Sequence, residues 1–370
     1  MKLKRNLLFY IISAVSFGVL IGGIIWGFLI SINICFTLLW ETVPSDFNFM
    51  FYPVIICGIG GIIVGFSQKL IGNYPETFEN VLETIKKTRR YAPCKLIYIM
   101  ASAFLPIILG GSIGPEAGIA GVTAWLCTWM KDKFVTAAKK KLLYSIAAIS
   151  GIAFVFCLNM FVKSSLHIAR FNAQTLHMDE LLWFIPLIVL GILAGYFYYA
   201  FDKIIAFISR PMKKYPVILA VIGGFLLGIS GVFFPFTMFS GEFQMTELMQ
   251  TQNEISPTIL FCIGFIKLII ISVCIHSGWR GGNIFPIIFS GLCIGLGFYH
   301  ITGANMIFST AVITAVICGF VIKKPIAVIL ILFLFFPINI SSIIYISIAS
   351  IIGSKTPILK EKIKNVKKTI

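Results

Sequence analysis

The stretch from Leu7 to Trp40 contains no charged residue. As a helix rising about 1.5 Å per residue it would be about 50 Å long, against a hydrocarbon core of roughly 30 Å. Such a helix must tilt strongly or bend. Further apolar runs follow at 50–67, 96–130, 142–162, 181–201, 217–241, 258–275, 284–322 and 326–352. The chain is 58% hydrophobic and 12% charged, whereas soluble domains are about half apolar and a quarter charged. A soluble core could not hide this surface, but lipid can. The chain therefore reads as an all-α, multi-pass integral membrane protein. Met1 to Arg5 has the basic flank of a signal peptide. The run behind it is too long for a signal h-region, and no small-residue cleavage site stands out. It is expected to remain as the first membrane helix.

A net charge of +16 on a soluble protein would suggest nucleic acid. Here the bases sit between apolar runs: Lys2, Lys4 and Arg5; Lys86, Lys87, Arg89, Arg90 and Lys95; Lys131, Lys133 and Lys139 to Lys141; then Lys355 to Lys368. That is the pattern of the positive-inside rule. The expected partner is the lipid bilayer of the plasma membrane, with no nucleic acid. Two crossings separate the first two clusters, which puts them on one side and both termini in the cytoplasm. The excess charge would also draw anions toward the membrane.

The nine cysteines show no CxxC spacing. Cys35, Cys57, Cys127, Cys262 and Cys318 lie within apolar runs as small hydrophobes. His167, His177, His276 and His300 are scattered without ligand spacing, so no metal and no cofactor is expected. Each histidine is expected to pack or to make an interfacial hydrogen bond.

Several apolar runs are poor simple spans. Run 96–130 holds Pro106, Gly110, Gly111, Gly114, Pro115 and the acid Glu116; run 284–322 carries Pro286 and several glycines. Irregular backbone survives in lipid only where protein buries it or water lines it. One interrupted segment in each half points to a central site between inverted repeats. The repeats are expected at 1–172 and 173–370, the second ending in a short cytoplasmic amphipathic helix after Pro357, with no soluble regulatory domain.

Four tight turns end in proline: Gly72-Asn73-Tyr74-Pro75, Ser112-Ile113-Gly114-Pro115, Asn283-Ile284-Phe285-Pro286 and Ser354-Lys355-Thr356-Pro357. Proline favours the first helical position, so each reads as a helix start. Helix starts carry unpaired N–H groups and about half a positive charge. Several meeting at mid-membrane would coordinate a permeant anion without a formal cation. The bland alternative is ordinary kinks and surface turns.

These residues resemble the CLC family of chloride channels and transporters, as a divergent bacterial branch. Gly111-Ser112-Ile113-Gly114-Pro115-Glu116 looks like its G-[KR]-E-G-P motif. Gly278 to Pro286 looks like its G-x-x-G-G-x-F-x-P motif. Ile71 to Glu76 falls where G-S-G-I-P-E is expected, and Lys323-Lys324-Pro325-Ile326 resembles R-x-P-L. The resemblance implies many tilted and broken helices in an inverted repeat, and a homodimer with one pore per subunit. It places the anion pathway at Gly72, Asn73, Tyr74, Pro75, Ile113, Gly114, Pro115, Glu116, Asn283, Ile284, Phe285 and Leu359. The departures are several. The family's gating glutamate falls at Ile113, its anion-touching serine at Gly72, the phenylalanine of the second motif at Ile284 and the last-helix tyrosine near Leu359. The inner acid of proton-coupled members falls near Arg170 or Phe171, neither of them acidic.

Ile113 cannot take up a proton, so an anion channel or facilitator, with chloride as the favoured ion, is the simpler expectation. Glu116 offers a second one, as a displaced gate in a proton-coupled chloride or fluoride antiporter. Its bland role is to sit against the positive end of its own helix. Arg280 is expected to pair with an acid such as Glu242, or else to draw anions to the mouth. Lys163, Arg170, Lys323 and Lys324 are expected to snorkel to the interface. An intramembrane enzyme would need a nucleophilic or metal constellation, and the sequence has no HExxH, GxSxG or paired aspartates.

Overall fold

The computed structural model describes residues 2–44, 49–134, 151, 171, 178–242 and 244–357. Helix α1 spans Lys2–Phe36 and runs into a π-helical turn, Thr37–Thr42. The wider turn closes the long uncharged run and turns Trp40 inward, where its Nε1 donates to Ile108 O at 2.8 Å. The Tyr52 hydroxyl donates to Leu39 O at 2.6 Å.

Next come α2 (Tyr52–Ile71), the short amphipathic α3 (Phe78–Thr88), α4 (Leu96–Ile108) and α5 (Glu116–Phe134). The later part holds α6 (Phe184–Ser209), α7 (Pro216–Phe233), α8 (Gln244–Thr251) and α9 (Pro257–Ser277). It closes with α10 (Ile284–Thr302), α11 (Met306–Ile322), α12 (Pro325–Leu332) and α13 (Ile340–Lys355). Apolar run 96–130 is thus two helices separated at 109–115. Run 284–322 is two helices separated at Gly303, whose φ is +68°. Among the described residues, six helices are long and apolar enough to cross a membrane. The chain is a multi-pass membrane protein of tilted and broken helices.

Glycine sets the closest helix contact. Gly61 of α2 lies against the backbone of Ala220 and Val221, and Gly224 of α7 lies against Cys57 O. Lipid tails provide no hydrophobic drive between helices, so backbone approach supplies the contact energy instead. The largest buried cluster joins α9, α10, α11 and α13 through residues such as Leu268, Phe289, Val312, Val316 and Ile346. A second surrounds the 109–115 break with Ile108, Leu109, Ile113, Ala220 and Trp279. That irregular backbone is therefore walled by protein, as lipid demands.

The prolines depart from expectation. Pro75 lies ahead of α3, whose start is set by Thr77: its Oγ1 accepts from Asn80 N at 3.3 Å. Pro115 directly precedes α5, and its carbonyl accepts from Ile119 N at 2.9 Å. Pro286 is the third residue of α10, a position equally tolerant because the first four helical N–H groups have no intrahelical partner. Pro357 follows Thr356, the C-cap of α13, so that turn ends a helix. The expected amphipathic helix and Leu359 lie outside the described residues. Among the described α-helices, Pro53, Pro216, Pro257 and Pro325 stand at the first or second position.

Candidate functional site

Gly114 N donates to Gly282 O at 2.7 Å, and Gly282 N donates to Gly114 O at 2.8 Å. This antiparallel bridge joins the two glycine-proline motifs and sets the starts of α5 and α10 side by side. A Cβ at either glycine would strike the carboxyl group of Glu116. The two small residues therefore hold the bridge and make room for the acid at once.

Glu116 begins α5, yet its carboxyl group crosses to α10. Oε1 accepts from Ile284 N at 2.7 Å and from Phe285 N at 3.2 Å. Asn283 is the N-cap of α10, but its side chain makes no cap hydrogen bond. The acid from the other half of the chain takes that place. It sits where N–H groups and the helix dipole both favour negative charge. Oε2 is buried and lacks a hydrogen-bond partner among the described residues.

A cavity of about 410 Å³ leads to this carboxyl group. Its walls include Gln68 near the end of α2, Asn73, Pro75 and Thr77 from the α2–α3 link, Gly281 to Ile284, and the start of α7 at Pro216 and Leu219. The charged side chains lining it are Lys213, Arg280, Lys324, Glu79 and Glu116. Three basic and two acidic side chains thus share a cavity that reaches the start of α10.

Of the pathway residues expected from sequence, Asn73, Pro75, Glu116, Asn283 and Ile284 line the cavity together. Gly72 caps α2 at φ +97° and, with Tyr74, stands outside the lining. Gly114 and Pro115 are buried behind it. Ile113, expected from the motif to stand at the gate position, is fully buried against Gly281. Phe285 contributes its N–H, while its ring packs against Phe335 with centroids 5.8 Å apart. Phe171, near the expected inner acid, is buried and stacks on Phe336. Arg170 lies outside the described residues.

Arg280 does not pair with Glu242. Its Nη1 donates to Asn73 O at 3.4 Å, because it lines the cavity while Glu242 follows Gly241, which abuts Phe289 further along α10. Sequence reading also passed over several residues. Gln68 Nε2 donates to Gly278 O, tying α2 to the turn before α10. The Tyr198 hydroxyl lies 3.5 Å from Asn283 Nδ2; His276, expected from sequence to pack or to make a hydrogen bond, meets Asp202 at 2.7 Å beside the cavity. Lys267 is fully buried in α9. Its Nζ donates to the carbonyls of Phe236, Met238 and Phe239 at 2.8, 2.9 and 3.1 Å and stands 4.6 Å from the Phe289 ring centroid. That lysine was findable: a lone charge inside an apolar run is a functional suspect in membranes. Tyr198 carried no such signal.

Residues 142–356 match the family described as voltage gated chloride channel. This is more than half of the chain, and the chain belongs to that family. An 84-residue stretch, 22% of the chain, is 40% identical to the "Putative ion-transport protein YfeO" of Escherichia coli (strain SMS-3-5 / SECEC). A protein of the same name from Shigella boydii serotype 18 is 42% identical over the same length. The matched stretch spans only 20% of the length of these relatives. The fold is similar to that of a CLC-type fluoride/proton antiporter, with TM-score 0.66 and 16% identity over 95% of this chain and 96% of the other. It is also similar to a slow cyanobacterial Cl-/H+ antiporter, with TM-score 0.68 and 14% identity over 96% and 97%. At these identities the likeness establishes the fold, an all-α CLC architecture.

Proposed function

We propose that this chain carries small anions, chloride foremost, across the cell membrane by way of the backbone N–H groups that open α10. The observation that carries this reading is the pair of hydrogen bonds from Ile284 and Phe285 to Glu116 Oε1. A site that already holds an anionic oxygen has the chemistry to hold a permeant anion. It does so without a formal cation in contact, which leaves the ion free to depart. Lys213, Arg280 and Lys324 on the approach raise the local anion concentration. With Ile113 unable to take a proton, the simplest mode is a channel or facilitator.

A second reading rests on the same geometry. The Glu116 carboxylate fills the position an anion would take, so it acts as a displaced gate that leaves when protonated. That makes proton-coupled exchange of chloride or fluoride the alternative, the activity named for the two proteins of similar fold. Both readings include the repeats at 1–172 and 173–370, the basic, cavity-bearing face toward the cytoplasm, both termini on that side, and a homodimer.

The experiment is halide efflux from liposomes holding the purified protein, with and without a proton gradient. Chloride efflux indifferent to that gradient supports the facilitator. Proton uptake driven by a chloride gradient selects exchange. No flux of any halide overturns anion transport.

A further inference from the structure

Asn283 stands at the N-cap of α10. An asparagine there ordinarily accepts the N–H of the second or third helical residue through its side-chain oxygen. In α10 neither N–H is on offer. The second residue is Phe285, whose N–H goes to Glu116 Oε1 at 3.2 Å. The third is Pro286, and proline has no N–H. The Asn283 side chain therefore makes no cap hydrogen bond. Its amide is left over from capping, on the wall of the cavity and at the helix end that the cavity reaches.

A second element takes hold of that amide. Asn283 Nδ2 donates to the Tyr198 hydroxyl at 3.5 Å. Tyr198 lies on α6 and is buried in the largest apolar cluster. Asp202, four residues further along, shares its face of α6 and meets His276 in the last turn of α9 at 2.7 Å. One face of α6 thus holds both ends of the link 278–283 between α9 and α10. An amide nitrogen carries two N–H groups, and among the described residues only Tyr198 accepts from Asn283 Nδ2. One N–H is left for a ligand in the cavity.

We propose that the Asn283 amide is an anion ligand that sets selectivity, and that Tyr198 is the residue that positions it. This rests on the reading of α10 as the anion site. An anion entering the first turn of α10 sheds water, and the groups that replace that water decide which anion enters most readily. Small anions lose the most on leaving water, so they depend most on donors that the protein supplies. The side-chain amide adds one donor to the backbone N–H groups. Being neutral, it adds no charge that would hold the ion back. The order it favours is fluoride and chloride over a weakly hydrated anion such as thiocyanate.

The other neutral donors on the wall leave this role to Asn283. Gln68 gives its amide to Gly278 O, and Ser277 gives its hydroxyl to Cys274 O at 3.3 Å. Asn73 and Thr77 belong to the α2–α3 link and are exposed. Asn283 is the one that stands at the start of α10 itself.

The test compares fluoride, chloride and thiocyanate efflux from liposomes holding wild type, Asn283→Ala, Asn283→Ser or Tyr198→Phe. Flux ratios cancel the amount of folded protein, and a residue with only a structural part would lower all the fluxes together. In Asn283→Ala the chloride-to-thiocyanate ratio is expected to fall by about threefold to tenfold, the weight of one neutral hydrogen bond. The fluoride-to-thiocyanate ratio is expected to fall at least as far. Asn283→Ser keeps a donor and is expected between alanine and wild type. Tyr198→Phe removes one hydroxyl and is expected to move both ratios the same way by a smaller factor. Asn283→Ala ratios equal to wild type overturn the inference. Tyr198→Phe ratios equal to wild type overturn the positioning role of Tyr198. If Asn283→Ala does not fold, the ratios of Asn283→Ser decide in the same way. Each of these leaves anion transport standing, whereas absence of flux for every anion in the wild type overturns the transport reading beneath it.

Discussion

Glu116 Oε1 accepts the backbone N–H of Ile284 at 2.7 Å, across 168 positions of chain. A helix start in the second half is thereby capped by the first residue of a helix in the first half. With the carboxyl group ionised the bond is charge-assisted, and such bonds are about twice as strong as neutral ones. It also occupies the N–H groups that an incoming anion would need.

Replacing Glu116 with Gln keeps the shape and removes the charge. Chloride efflux at neutral pH is expected to rise about tenfold, the equivalent of about 1.4 kcal/mol, and to lose its dependence on pH. Halide-electrode recordings on liposomes measure both. Unchanged flux with an unchanged pH profile would reduce Glu116 to a structural cap.

Gly282→Ala tests the same contact from the other side. Its Cβ would meet the Glu116 carboxyl group, which lies at the far end of a flexible side chain and yields. Gly282 has no positive φ, so the backbone bridge to Gly114 survives. The variant is expected to resemble Glu116→Gln in flux and pH profile when the two are measured side by side. A wild-type profile would show that the carboxyl group has room elsewhere within its site.

Lys267→Met removes the shared donor of three carbonyls. A buried polar group left unpaired costs about 1–3 kcal/mol, so the thermal unfolding midpoint in detergent is expected to drop by several degrees. A midpoint equal to wild type would mean the link finds other donors.

Gly61→Val places a side chain against the backbone of Ala220 and Val221, which cannot swing aside. Overpacking of this kind costs about 1–3 kcal/mol, and a lower thermal midpoint is expected. Gly27→Ala on α1 is the matched control, because nothing lies within 4 Å of its added Cβ. Equal midpoints for the two variants would contradict the close packing of α2 on α7.

Much of the architecture was legible residue by residue. Charge-free runs longer than a bilayer is thick require tilted or bent helices, and glycines with prolines mark where backbone pairing must fail. From those marks alone the breaks at 109–115 and around 278–286 could be located. The resemblance of those stretches to CLC motifs named the fold. The exact helix starts were less legible, because Thr77 and the unpaired N–H groups of a first turn compete with proline in setting them.

The partners of the polar groups came only from three dimensions. Local sequence assigns Glu116 to the start of its own helix, and nothing near it reveals that Gly114 pairs with Gly282. That bridge turns the carboxyl group toward α10, where a charge at membrane depth is stabilised by unpaired N–H groups. Arg280 likewise went to Asn73 and not to Glu242, and Lys267 settled on carbonyls with no acid beside it. In lipid, the lipid-facing and protein-facing sides of a helix are both apolar, so hydropathy says where a helix lies but not which face meets which. Close backbone contact at glycines and the need to satisfy each buried polar group made that choice.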